Sequence, residues 1–127
     1  MNEYMLLIRN TINSKDGFTD ELHLDFVNAC KSYIHDLQQN GRLVAAQPLI
    51  REGKIIAHTG DAWSESPFNE SAEVQVGYYH IRAQSLEEAV EIAKNNPEFH
   101  YTTTARIEVR PLKITEQSNQ FEYPKGI

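Results

Sequence analysis

The chain has 127 residues, 40% of them hydrophobic and 24% charged, the profile of one ordinary soluble globular domain and not of a disordered segment or two separate cores. Twelve basic and eighteen acidic side chains leave a net charge of −6, which argues against a nucleic-acid-binding face while leaving room for a small local basic pocket. Cys30 is the only cysteine, so no internal disulfide can form. No run of about 18 apolar residues exists to span a bilayer, and the opening MNEYMLLIRN is too short and acidic for a signal peptide. The expectation is a cytoplasmic protein with neither a membrane nor a nucleic-acid partner.

Tyr4 to Arg9 (YMLLIR) is apolar on both faces at strand length, as suits a central strand covered on two sides. Leu22, Phe26, Ala29, Cys30, Tyr33 and Leu37 then recur at helical spacing. Thr19 or Asp20 is placed to cap the start of that helix, and Asn40-Gly41 to stop it. Leu43 to Ile50 and Lys54 to Thr59 are two strand-like runs joined by Arg51-Glu52-Gly53, which predicts a hairpin between them. Asp61 to Ala72 reads as a loop holding Trp63, Pro67 and Phe68, and Glu73 to Arg82 as a strand rich in β-branched and aromatic residues.

Ser85-Leu86-Glu87-Glu88 matches a capping box at the start of a second helix, whose apolar face is Leu86, Ala89, Val90 and Ala93. That helix stops before Pro97. A polar connection with His100 and Thr102 to Thr104 leads to a last strand, Ala105 to Leu112. Residues 1–113 are thus the expected domain. Residues 114–127 read as a polar tail, either mobile or an arm that docks on a partner.

The predicted order β-α-β-β-β-α-β, less one extra hairpin strand, is the split β-α-β pattern of an α+β, ferredoxin-like sheet with two helices on one face. Strand alternation then places Tyr78, His80, Glu108 and Arg110 on the helix-free face, together with Met5, Leu7 and Val76; Arg9 shares the parity of Met5 and Leu7. Leaving the apolar part of that face in water is costly, so a symmetric homodimer closing sheet face on sheet face is expected, with an enclosed chamber between.

The opening YMLLI, Pro67-Phe68 ahead of Val76-Gly77-Tyr78-Tyr79, the Ser85-Leu86-Glu87-Glu88-Ala89 helix start and the closing Ile107-Glu108-Val109-Arg110-Pro111 resemble the YCII-related, or DGPF-domain, family over roughly residues 3 to 113. The family's Asp-Gly-Pro-Phe stands here as Glu65-Ser66-Pro67-Phe68, and its Gly-Gly-Tyr-Tyr as Val76-Gly77-Tyr78-Tyr79. The resemblance implies a dimeric α+β barrel built from ferredoxin-like protomers. Most members of the family have no assigned function, and some are linked by gene context to sigma factors. The wider barrel superfamily includes muconolactone isomerases, dehydrochlorinases and cofactor-free monooxygenases.

The functional expectation is a small-molecule-binding protein, in its enzymatic form a cofactor-free isomerase or lyase acting on a small aromatic or anionic compound. His80 or His58 would serve as base, Arg110 would hold an anionic oxygen, and Tyr78 would donate a hydrogen bond. Trp63 and Phe68 would wall the chamber or merely anchor their loop; Glu108 and Arg9, with Tyr79 and Glu65, would support the site. The rival reading of the same residues is structural: His58 as a surface histidine, and Arg110 with Glu108 as an ion pair in the dimer core. A non-enzymatic regulatory or protein-interaction module is the alternative function. His23 and His35 lack the spacing to present two ligands together, and His100 reads as solvated. No metal or cofactor is expected. Cys30, on the apolar stripe, reads as a core thiol.

Overall fold

The apolar run near the N-terminus becomes the middle of the sheet. The structure, a computed structural model, describes residues 1–124. Within them the elements run β1 (Asn2–Thr11), α1 (Asp20–Gln39), β2 (Leu43–Pro48), β3 (Lys54–Thr59), β4 (Ala62–Pro67), β5 (Glu73–Ala83), α2 (Leu86–Lys94), α3 (Glu98–Tyr101) and β6 (Arg106–Pro111). The main sheet has the order β2-β5-β1-β6 with every pair antiparallel. β1 therefore has neighbours on both sides, and α1 and α2 cover one face, giving the expected α+β, ferredoxin-like arrangement.

Parity along the strands decides what meets the helices. Tyr4, Leu6 and Ile8 of β1 and Tyr79, Ile81 and Ala83 of β5 point inward, where they pack with Leu37 of α1 and Ala89 and Ala93 of α2. Thr19 caps α1 by accepting a hydrogen bond from the Leu22 amide at 3.1 Å. Past the end of α1, Gly41 adopts φ +69°, a left-handed conformation that glycine reaches without strain. Ser85 caps α2 by accepting from the Glu88 amide at 3.2 Å, while Glu88 reaches back to the Gln84 amide, one residue before the cap.

Three expectations are corrected. First, Leu43–Ile50 and Lys54–Thr59 do not form a hairpin: β2 joins the edge of the main sheet beside β5, and β3 pairs instead with β4. The turn that closes β3 on β4 is Gly60-Asp61, with Gly60 at φ +61°, so part of the supposed loop 61–72 is a strand and residues 68–70 are a single 3-10 turn. Second, β5 carries a bulge where the register with β1 steps from Ile8↔Gly77 to Arg9↔Gln75. One extra residue is accommodated there, and Val76 turns to the helix side, against the core, instead of sharing the open face with Tyr78. Third, the stripe on α1 is not a fully buried seam. Leu37 alone is buried among the helix's residues, and Leu22 at the start of the stripe is 38% exposed, because the N-terminal half of α1 stands off the sheet and leaves a chamber beneath it.

The connection before β6 contains the short α3. Beyond β6, residues 114–123 fold back on themselves through a Thr115–Glu122 bridge and an edge-on contact between Phe121 and Tyr123. Residues 125–127 of the expected tail lie outside the described residues.

Candidate functional site

The helix-free face of the sheet gathers most of the residues singled out from the sequence. Leu7 lies between Tyr78 and Glu108 in register, and Met5 lies between His80 and Arg110. His80 and Arg110 are thus on one face but two strands apart, roughly 10 Å between backbones, and they do not pair with each other. His80 Nε2 sits 2.7 Å from Glu3 Oε1, with both side chains largely shielded. Arg110 reaches Glu108 at 2.9 Å, and Arg9 reaches the same carboxylate at 2.9 Å. Arg9 also lies 3.9 Å from Glu73, which Arg106 grips through two hydrogen bonds of 2.7 Å. Five charges therefore alternate in sign across three strands. Arg110 and then Arg9 hold the Glu108 carboxyl below the usual range, and Arg106 does the same for Glu73.

A cleft of about 870 Å³ opens between this face and the β3–β4 hairpin, lined among others by Arg9, Tyr78, Phe68, Glu73, Lys54 and Ile55. His80, Glu108 and Arg110 do not line it. His58 and Trp63 are elsewhere: their rings stack 4.4 Å apart on the outer part of the hairpin, where Trp63 is 71% exposed. Glu65 pairs with Lys54 on the same hairpin. The two histidines put forward as bases are thus on different parts of the molecule.

The chamber beneath α1 is smaller, about 490 Å³, more enclosed and mostly apolar. Its walls come from Phe26, Val27, Cys30 and Ile34 of α1 and from Ile8, Ala46, Val76 and Tyr79 of the sheet. Its polar groups were not singled out from the sequence. Glu98, 6% exposed, accepts from Asn10 Nδ2 at 2.8 Å and from Lys15 Nζ at 2.6 Å, so both of its carboxylate oxygens are engaged. Asn96, 1% exposed, accepts the Glu98 amide on Oδ1 at 2.9 Å, and this contact fixes the orientation of its side chain. Its Nδ2 has no hydrogen-bond partner, and Asn96 lines the chamber. Tyr33 lies nearby with its hydroxyl donated to the Ile92 carbonyl at 2.7 Å; the Asn96 side chain stands close enough to act on that hydroxyl, opposing the rise of its pKa, but outside hydrogen-bond distance. A buried amide left unpaired costs stability on the order of 1–3 kcal/mol, which makes it a natural place for an incoming acceptor.

Burial, and then the charge of Glu98, push the Cys30 thiol up, with Lys15 acting against them. Burial likewise raises Tyr33 and Tyr79 far above the ordinary tyrosine range. All three stay protonated at neutral pH, so the chamber offers a thiol and two phenols as neutral groups and no nucleophilic thiolate. Exposed His23, Lys31 and Arg51 ring its mouth. Among the described residues no group of three His, Cys, Asp or Glu side chains could hold a metal, and no helix is long and apolar enough to cross a membrane.

Fold and cavity together define an α+β domain whose four-stranded antiparallel sheet keeps one face for its helices and a chamber, and presents the other. The YCII-related domain matches the chain over residues 2–113, and the chain belongs to that family. No curated protein matches the sequence significantly.

Proposed function

We propose that this YCII-related domain binds a small organic molecule in the chamber beneath α1. The observation that carries the reading is the unpaired Asn96 amide in a partly enclosed, mostly apolar cavity, the combination that small-molecule sites share. The cleft on the other face is more open, and its Arg9, Glu73 and Lys54 are already engaged in ion pairs. A thermal-shift screen of small acids, phenols and neutral aromatics tests the proposal, since a bound ligand raises the melting temperature by mass action. Val27→Trp, at a half-exposed position on the chamber wall, should fill the space and abolish the shift while the protein stays folded. A shift that survives Val27→Trp places the ligand elsewhere.

A second reading rests on the 2.7 Å His80–Glu3 pair. In it, a second copy of the chain covers the open face, and cofactor-free isomerisation or elimination takes place between the sheets with His80 as base and Arg110 as anion holder. His80→Ala and Arg110→Ala should then remove turnover or binding without unfolding the protein. Loss of ligand binding in Asn96→Asp but not in these variants decides for the chamber.

A further inference from the structure

We infer that the chamber's ligand is a small organic monoanion that leaves its charge at the mouth and carries a neutral carbonyl inward to Asn96. The inference rests on the chamber reading above. Two sets of groups, one at each end of the cavity, carry it.

At the mouth, Lys31 and Arg51 have no carboxylate within ion-pair distance among the described residues; Arg51 donates only to the Ile12 carbonyl, which leaves its charge uncompensated. In a chain of net charge −6, two uncompensated cations flanking an apolar opening form a local positive field. The third cation of the lining, Lys15, is spent on Glu98 at 2.6 Å.

The inner end has the opposite requirement. Glu98 already holds the one negative charge there, with both oxygens engaged, so a second buried anion beside it would be repelled and poorly solvated. The free group is a donor, Asn96 Nδ2, and it calls for an uncharged acceptor such as a ketone or amide oxygen. Between the ends the walls are Phe26, Ile34, Val76 and Tyr79, which fit an aryl or short alkyl body.

The test uses the full chain and three probes measured by titration calorimetry: 4-acetylbenzoate, its methyl ester, and 4-ethylbenzoate. 4-Acetylbenzoate should bind best. The ester, without charge, and 4-ethylbenzoate, without the carbonyl, should each lose roughly fivefold or more in affinity, the scale of one partly exposed ion pair or one hydrogen bond. Combined Lys31→Met and Arg51→Met should weaken both acids and leave the ester unchanged. Asn96→Asp keeps the acceptor that holds the Glu98 amide and removes the donor, so it should erase the preference for 4-acetylbenzoate over 4-ethylbenzoate. Should Asn96→Asp not fold, the wild-type ranking and the Lys31/Arg51 pair still decide. Equal binding of acid and ester overturns this inference and leaves the chamber in place as a neutral site. Failure of all three at millimolar concentration, together with a silent ligand screen, overturns the chamber itself.

Discussion

Asn10, Lys15 and Glu98 come from three separate stretches of chain and meet in one shielded cluster, with Glu98 Oε1 2.6 Å from Lys15 and Oε2 2.8 Å from Asn10. Removing one member of such a cluster leaves the rest desolvated and unpaired. Glu98→Ala is therefore expected to lower unfolding free energy by about 3 kcal/mol in urea titrations, whereas Lys94→Ala, which opens the solvated Lys94–Glu91 pair on α2, should leave stability nearly unchanged. Equal effects would contradict this division of labour. The protonated thiol and phenols of the chamber give a second expectation. Cys30, Tyr33 and Tyr79 all titrate higher folded than unfolded, so between the two values the unfolded chain holds fewer protons and stability falls as pH rises. The loss should begin as pH passes the ordinary thiol value and steepen past the ordinary phenol value; Cys30→Ala should remove the first part and Tyr79→Phe some of the second. A urea midpoint that is flat from neutral to strongly alkaline pH would sink it.

At the scale of elements, the β3–β4 hairpin is the weakest joint. It makes no strand pairing with the main sheet, and Ile55, Ile56 and Trp63 on it are at least half exposed. Two strands alone are marginal in water. Amide exchange of β3 and β4 is therefore expected to be orders of magnitude faster than that of β1 and β5, which would have to open globally. The opposite holds where β2 meets β5. A Cβ built on Gly77 would come within 3.0 Å of the Gln47 carbonyl oxygen and 3.2 Å of Pro48 Cα, both backbone atoms that cannot swing aside. Gly77→Ala should cost about 1–3 kcal/mol by forcing β2 off the sheet edge. The hairpin also shows where sequence reading fails: Leu43–Ile50 and Lys54–Thr59 are adjacent and strand-like, but the tight turn is Gly60-Asp61, and the decisive signal was the glycine able to take φ +61°, not the nearness of the two runs.

Over the whole molecule, what was legible follows from periodicity. The β1 run and both helix starts could be read because each depends on residues near one another in the chain, and the sequence of strands and helices was enough to recognise the ferredoxin-like class. The chamber could not, since it depends on α1 standing away from the sheet and on Lys15 meeting the distant Asn96–Glu98 segment, and neither leaves a periodic mark. The bulge at Val76 is similarly silent, and it alone reverses the face of that side chain. What remains is the exposed side of the sheet, where we propose that a second copy docks. Met5, Leu7 and Tyr78 lie there half-buried, surrounded by Glu3, Glu73 and Glu108 against Arg9, Arg82, Arg106 and Arg110. A face that interleaves acids and bases in nearly equal number can meet its own image across a two-fold axis, while the remaining surface of a chain of charge −6 repels its like. Leu7→Arg probes this directly. In a lone protomer the new guanidinium has water and its register neighbour Glu108, so folding should persist; in a dry interface it has neither room nor solvation. Sedimentation should find the wild type dimeric at micromolar concentration and Leu7→Arg monomeric with its melting behaviour largely kept, and a wild-type protein that sediments as a monomer would show that water, not a twin, covers the sheet.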